Sequence, residues 1–150
     1  MKLPYKGAGI LFLCETPQGK EILLGKRKYS PKGVWSIPGG GMDRQDKGSF
    51  LQCAVRETRE ELGKHPIVEQ ELEAWLQKEA TGEKIPSFSI PLIAFQWKTF
   101  YVYLPEKPND WPKYFHEFFE VSWFALDALP QKTYFGVHLA LLFIEPENSR

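Results

Sequence analysis

Apolar residues near the N-terminus form continuous runs that predict two paired strands. Residues 6–15 (KGAGILFLCE) are apolar at nearly every position, which is typical of a strand covered on both faces in the middle of a sheet. A Thr-Pro-Gln-Gly turn signal follows at 16–19, and apolar residues resume over 21–28. The two segments are therefore predicted to form a β-hairpin, with another short apolar piece at 34–37.

The strongest helical pattern in the chain covers residues 49–62. Ser49, with Gln52 three residues later, fits a capping box, and Gly63 is a natural helix end. The apolar positions repeat at helical spacing on one face: Leu51, Ala54, Val55, Thr58 and Leu62. A separate arc carries Glu57, Glu60 and Glu61, so the helix is predicted to have one packed side and one acidic side.

The rest of the chain alternates between helical and strand patterns. A second helix is predicted over 67–80, strands within 87–104 and over 115–124, and a final amphipathic helix over 135–145. Strands that precede and follow helices predict an α/β fold in which helices sandwich a mixed sheet. The length of 150 residues is typical of one domain, so we expect residues 1–150 to form a single domain.

The overall charge excludes some classes of partner. The chain has 19 basic and 19 acidic residues, and this balance argues against a surface that coats nucleic acid or binds membranes through basic residues. No segment has the length of an apolar membrane helix or signal peptide, so we expect a cytoplasmic protein. Cys14 and Cys53 lack zinc-ligand spacing, which favours buried thiols over a metal site.

Zero net charge hides an uneven distribution along the chain. Residues 1–32 contain seven basic and two acidic residues, whereas residues 57–83 contain three basic and eight acidic residues. A basic entry strand and an acidic helix together are suited to a phosphate group bridged by a cation. The distribution therefore favours a small phosphate-bearing ligand in one cleft.

Glu57, Glu60 and Glu61 are the candidate metal ligands. Carboxylates at this spacing repel one another unless a positive charge lies among them. Oxygen ligands without His or Cys suit Mg²⁺ or Mn²⁺, and Mg²⁺ is commonly shared between carboxylates and substrate phosphates. The alternative is an acidic face that is merely solvated. The glycine run 39–41, whose backbone N–H groups could approach an anion, favours the metal site and diphosphate chemistry.

Residues 35–41 (WSIPGGG) followed by 56–63 (RETREELG) resemble the signature of the Nudix hydrolases. That signature is Gly, five residues, Glu, seven residues, then Arg-Glu-apolar-any-Glu-Glu-any-Gly-apolar. Residues 117–124 are also similar to the closing strand of that family. The resemblance implies a Nudix-type α/β/α sandwich around a mixed β-sheet.

The chain departs from this signature in the first half of the motif. Two more residues separate Gly40 from Arg56 than the pattern allows, and Gly48 stands where the first Glu belongs. Asp46 and Asp43 are the two candidates to replace that Glu. Lys64 stands where an apolar residue is expected. We expect a longer loop rather than an inactive site.

The resemblance implies a Mg²⁺-dependent hydrolase (Mn²⁺ as the alternative metal) that cleaves a diphosphate linkage in a nucleoside diphosphate derivative. A nucleoside triphosphate is the first candidate substrate, and ADP-ribose, a nucleotide sugar or a dinucleoside polyphosphate are alternatives. An alternative of another class is a non-catalytic nucleotide-binding Nudix module. The implied catalytic residues are Glu57, Glu60, Glu61, Arg56 and Glu117. The implied metal ligands are Glu57, Glu60, Glu61 and Gly41, with Glu57 serving as a ligand or as the base.

Further residues are expected to bind substrate. The expected phosphate contacts are Gly39, Gly40, Gly41, Arg27 and Lys32, and Trp111 and Tyr114, in a proline-bounded loop, are the expected base contacts. Glu120 is the alternative to Glu117, and either could instead be an exposed strand residue. Residues 65–86 are expected either to shape the specificity pocket or to form the surface of a homodimer. Neither a nucleic acid nor a membrane is an expected partner.

Overall fold

In residues 3–112 and 115–144, which the computed structural model describes, seven strands form a mixed sheet that three α-helices flank. The strands are β1 (Tyr5–Thr16), β2 (Gly19–Arg27), β3 (Trp35–Ser36), β4 (Gly39–Gly41), β5 (Ser87–Pro91), β6 (Phe95–Tyr103) and β7 (Phe118–Ala125). The helices are α1 (Phe50–Leu62), α2 (Pro66–Ala80) and α3 (Phe135–Leu141), with a short 3₁₀ turn at Arg44–Asp46.

Strand β1 lies in the middle of the sheet, as its continuous apolar run predicts. The order of the main path is β3-β2-β1-β6-β5, with β4 paired to β1 and β7 paired to β2. The pairing of β1 with β6 is parallel, from Tyr5 opposite Phe95 to Leu13 opposite Tyr103, and the remaining pairs are antiparallel. The hairpin predicted between β1 and β2 is present.

Alternate side chains of β1 enter two separate cores. Ile10 and Phe12 pack with the apolar faces of α1 and α2, whereas Leu11 and Leu13 pack with α3 on the other side of the sheet. Because successive strand residues point to opposite faces, one apolar strand supplies both layers. The α/β/α sandwich around a mixed sheet, predicted from the sequence, is confirmed.

Helix α1 begins where the capping pattern predicts. The Ser49 hydroxyl accepts a hydrogen bond from the Gln52 backbone N–H at 3.0 Å, and Gly63 follows the last helical residue. Helix α2 begins one residue before its predicted start because Pro66 occupies the first turn and His65 accepts a hydrogen bond from the Ile67 N–H. Both helices are therefore capped at their N-terminal ends by a side-chain acceptor.

Helix α3 is shorter than the sequence predicts, and none of the described helices could span a membrane. The last helix ends at Leu141, shorter than predicted, and residue 145 of the predicted helix lies outside the described residues. Within 3–112 and 115–144, no helix combines the length and the apolar character needed to cross a bilayer.

Candidate active site

A cavity of about 620 Å³ opens beside the glycine run of β4. Its walls come from β4, α1, β5, β6 and the start of α3, with Arg27 at the end of β2 and Glu117 just before β7. The loop motif, the acidic helix and the closing strand therefore meet at one place. The sequence predicts a site formed by the glycine run and the acidic helix, and both border this cavity.

The glycines of β4 allow the acidic helix to approach the sheet closely. A Cβ atom on Gly40 would lie 2.5 Å from the Glu57 carboxyl carbon, so only glycine leaves room for that carboxylate. The Gly39 N–H donates a hydrogen bond of 2.8 Å to Glu61 Oε1. The glycine run thus holds carboxylates of α1, and the Gly39 amide, expected at a substrate phosphate, contacts Glu61 instead.

The three predicted carboxylates of α1 have different environments. Glu61 is 4% exposed, Glu57 is half-buried at the cavity wall, and Glu60 is exposed. Burial, together with the negative charges of Glu117 and Glu57, raises the pKa of Glu61 to about 8, although the Gly39 hydrogen bond opposes this rise. Burial also raises the pKa of Glu57, while Arg56 lowers it. The site therefore contains more carboxylate groups than the neighbouring arginine side chains can neutralise.

Arg56 ties the acidic helix to the loop before it. Its guanidinium donates to Glu57 at 3.2 Å and to Glu60 at 3.1 Å, and its Nη2 donates to the Gly41 carbonyl oxygen at 2.9 Å. The contact with Glu60 is an i,i+4 pair along α1, and it is one contact among several. The Gly41 carbonyl oxygen is an expected metal ligand. Because it already accepts a hydrogen bond from Arg56, only its second lone pair is available to a metal ion.

Asp46 makes the strongest contacts with Arg56. Its two carboxylate oxygens accept from Arg56 Nε and Nη2, both at 2.9 Å, and the residue is 1% exposed. The Arg56 hydrogen bond holds the pKa of Asp46 below its ordinary value of 3.8. Asp43 is exposed and its carboxylate lies 3.7 Å from Arg56 Nε. Of the two candidates to replace the missing Glu at position 48, Asp46 therefore occupies the buried, charge-neutralising position.

The donor set of this region fits a hard divalent cation. Glu57 and Glu117 border the cavity, and Glu61 lies close enough to both for their charges to raise its pKa. All offer carboxylate oxygens, the ligands that Mg²⁺ prefers, and a cation among them would relieve the repulsion. Over 3–112 and 115–144, no three His, Cys, Asp or Glu side chains are grouped closely enough to hold a metal ion in this arrangement.

Glu117 and Glu120 are separated by the start of β7. Glu117 borders the cavity, and its backbone carbonyl accepts from the Lys28 N–H at 2.9 Å. Glu120 is exposed on β7, opposite Lys26 of β2, and does not border the cavity. The structure thus brings the preferred candidate, and not its alternative, to the carboxylates of α1.

Several residues expected to bind substrate lie elsewhere or are not described. Arg27 borders the cavity, whereas the Lys32 ammonium lies 5.8 Å from the centre of the Phe119 ring and does not border it. Trp111 does not border it either, because its ring packs against His65 and the α1–α2 core. Tyr114 lies outside the described residues.

Other aromatic residues form the cavity wall in place of Trp111. Tyr5, Trp97 and Phe135 border the cavity, and the Tyr5 ring stacks on Phe95 with centroids 5.4 Å apart. No local motif marks these positions, since they belong to the ends of strands and of a helix. The parallel pairing of β1 with β6 places Tyr5 opposite Phe95 and Trp97 opposite Gly7, and knowledge of that pairing could have identified Tyr5 and Trp97.

Comparison with known proteins agrees with this geometry. The NUDIX domain family model matches residues 4–141. Similar solved structures include a NUDIX hydrolase from Nitrosomonas europaea, with 25% identity, TM-score 0.58, and coverage of 94% of this chain and 69% of that one. A MutT/nudix family protein from Enterococcus faecalis has 24% identity and TM-score 0.56, with 83% of this chain covered.

A third structure, a binary complex of the C. elegans Ap4A hydrolase, has 22% identity, TM-score 0.55, and coverage of 82% and 81%. The chain spans only 44% of the length of the E. faecalis protein. None of the curated proteins compared with the sequence matches it. The family model covers nearly the whole chain, and the chain therefore belongs to the Nudix hydrolase family that its sequence resembles.

Proposed function

We propose that this protein hydrolyses a diphosphate linkage in a nucleoside diphosphate derivative, with Mg²⁺ as its cofactor. The observation that carries the proposal is that Glu57 and Glu117 border a cavity that Arg27 also borders, while Glu61 lies close enough to both carboxylates for their charges to raise its pKa. A diphosphate needs cations for its oxygens, and an attacking water needs a nearby base. Carboxylates, a guanidinium and a cavity large enough for a nucleotide supply these requirements in one place.

The residues of α1 would hold the cation. Glu57, Glu60 and Glu61 are the proposed ligands, with Glu117 as a further carboxylate and Arg56 as the group that positions Glu57 and Glu60. Bound Mg²⁺ would neutralise phosphate oxygens and lower the pKa of a water. Mn²⁺ offers the same ligand preferences and is the alternative metal.

The protein's own contribution is positioning and electrostatic stabilisation. The Arg27 guanidinium would bind a non-bridging phosphate oxygen, and the buried carboxylates would orient the water that attacks phosphorus. As the water oxygen bonds to phosphorus, the bridging P–O bond breaks and the leaving phosphate takes its electron pair. In the alternative in which Glu57 serves as the base and not as a ligand, its carboxylate, half-buried at the cavity wall, would accept the proton of that water.

A nucleoside triphosphate is the first proposed substrate. The C. elegans neighbour acts on Ap4A, so a dinucleoside polyphosphate is a second candidate, alongside ADP-ribose and nucleotide sugars. A binding module without hydrolysis is the alternative of another class. The buried Asp46–Arg56 pair supports the hydrolase, because it fixes the guanidinium that donates hydrogen bonds to Glu57 and Glu60.

The test is a hydrolysis assay on purified protein with a panel of these four substrate classes, with Mg²⁺, with Mn²⁺ and with chelator. We expect metal-dependent release of two phosphorylated products, and their identity defines the linkage that is cleaved. Binding without product across the panel would instead establish the nucleotide-binding module. Turnover that survives chelator would exclude the metal assignment.

Replacing Glu117 with Gln should lower kcat/KM by about tenfold or more, because a carboxylate at the cavity is lost. Glu120→Gln is the matched control, since Glu120 is exposed on the adjoining strand, and its kcat/KM should stay within twofold of wild type. The measurement is the kcat/KM of the three proteins from steady-state kinetics at saturating Mg²⁺. Equal loss in both variants would contradict the assignment of Glu117.

A further inference from the structure

The indole of Trp97 packs over glycine residues of β1 and β4. Trp97 lies opposite Gly7 in the parallel register of β1 and β6. A Cβ on Gly7, Gly9 or Gly39 would lie 2.9 to 3.1 Å from the outer edge of its benzo ring. The ring therefore reaches across β1 to β4, over backbone that carries no side chains, and any larger residue there would displace it.

A hydrogen bond holds the other end of the same ring. Trp97 Nε1–H donates to the Thr99 hydroxyl at 2.8 Å, and Thr99 is buried. The only polar group of the indole is therefore satisfied within the protein. What remains at the cavity is an apolar aromatic surface, half-buried and held in one orientation.

The walls around this surface are also apolar. The side chains that β5 contributes to the cavity are Phe88 and Ile90, and Ile90 is the cross-strand partner of Trp97. On α3, Phe135 and Val137 border the same cavity, and Phe135 is 71% exposed. The charged residues that line the cavity, Arg27, Glu57 and Glu117, belong to the region proposed for the diphosphate.

We propose that Trp97 is the stacking surface for a planar heterocyclic base carried by the substrate. This inference rests on the proposed function, because it assigns the apolar part of the same cavity to the part of the substrate that does not react. Aromatic stacking suits every base, since each has a π-face. The cavity thus combines a charged region for phosphates with an aromatic region for the base.

Selection by this surface follows ring area rather than hydrogen-bonding pattern. The Trp97 N–H is already engaged with Thr99, and the neighbouring β5 and α3 side chains are hydrocarbon. Base edges therefore find few side-chain partners on the β5 and α3 walls. Purine ligands should bind a few-fold more tightly than pyrimidine ligands, and adenine and guanine should bind about equally.

The test uses monophosphates, which lack a diphosphate bond and so report binding apart from hydrolysis. Calorimetry in Mg²⁺ compares AMP with ribose 5-phosphate, its counterpart without a base, and then with GMP, CMP and UMP. Wild type should bind AMP at least about fivefold more tightly than ribose 5-phosphate. This comparison needs no variant and is independent of any effect of substitution on folding.

Variants then locate the contact. Trp97→Leu should reduce the preference for AMP over ribose 5-phosphate to nearly one, and Trp97→Phe should retain part of it. Trp111→Leu is the matched control, since that ring packs on His65 outside the cavity, and it should bind as wild type does. Circular dichroism and Tm establish that each variant is folded.

Equal binding of AMP and ribose 5-phosphate by wild type, or an unchanged preference in folded Trp97→Leu, would overturn the inference. So would failure of both ligands to bind. If AMP binds through Trp97 but the substrate panel yields no product, the stacking surface stands and the proposed hydrolysis fails. The two conclusions are therefore separable by experiment.

Discussion

Replacing Glu61 with Gln should reduce kcat by about 10²–10³-fold while leaving the fold intact. The amide oxygen can still accept the Gly39 hydrogen bond, so β4 and α1 stay in place. What is lost is the negative charge that the proposed cation requires. Because a buried carboxylate without a cation costs stability, the metal-free variant should unfold at a denaturant concentration no lower than wild type.

The measurement is single-turnover and steady-state hydrolysis over a Mg²⁺ titration, together with urea unfolding in chelator. Glu73→Gln is the control, since Glu73 pairs with Arg59 on the exposed side of α2 and does not border the cavity. Its kinetics should match wild type. Activity of Glu61→Gln within a few-fold of wild type would show that this carboxylate is not a ligand.

Replacing Asp46 with Asn should destabilise the protein by about 1.5–3 kcal/mol at neutral pH, the scale of a hydrogen bond to a charged group. Asn keeps one acceptor oxygen for Arg56 but not the charge, and the guanidinium is then buried without its main counterion. Arg56 would also hold Glu57 and Glu60 less firmly. We therefore expect Mg²⁺ activation to weaken by about 10–100-fold.

The pH dependence of this effect has a definite sign. The folded-state pKa of Asp46 lies below its ordinary value of 3.8, so its contribution to stability is fully present above that value. The contribution is lost as pH falls through the lowered pKa. The difference in unfolding free energy between wild type and Asp46→Asn should therefore be largest near neutrality and should close in acid.

Asp43→Asn provides the contrast, because Asp43 is exposed and its carboxylate is 3.7 Å from Arg56 Nε. An Asn there also keeps an oxygen for the Gln45 N–H. Urea titrations of the three proteins at neutral and acid pH separate the two aspartates. A larger loss of unfolding free energy in Asp43→Asn than in Asp46→Asn would show that Asp43, and not Asp46, is the main partner of Arg56.

The sequence predicted the parts of the fold that depend on local pattern. The apolar run of β1, the Ser49 cap and the apolar stripe of α1 each depend on neighbours within a few residues, and all are present. The acidic arc was predicted as one surface, yet its members range from exposed Glu60 to buried Glu61. This difference in exposure arises because β4 packs close to α1, and helical periodicity carries no information about that contact.

The remaining site residues depended on contacts between distant segments. Trp111 was expected to contact the base of the substrate because it lies in a proline-bounded loop, but the His65–Asp110 contact of 2.6 Å holds that loop against the start of α2. Trp111 and Tyr114 were preferred to Trp97 as base contacts, although the glycines beneath Trp97 leave room for its ring to reach the cavity. Neither outcome can be read from spacing, since the partners are tens of positions away.

The parallel pairing of β1 with β6 has a consequence for how the chain acquires its structure during synthesis. The central strand emerges first, but its partner from Phe95 onward emerges only after both long helices. Until then the apolar edge of β1 lacks its neighbour, a situation that slows folding and favours association between nascent chains. Early hairpin formation with β2 pairs Leu13–Thr16 on the other edge, so the hairpin turn at Thr16–Gly19 would matter more for yield in the cell than for the finished protein.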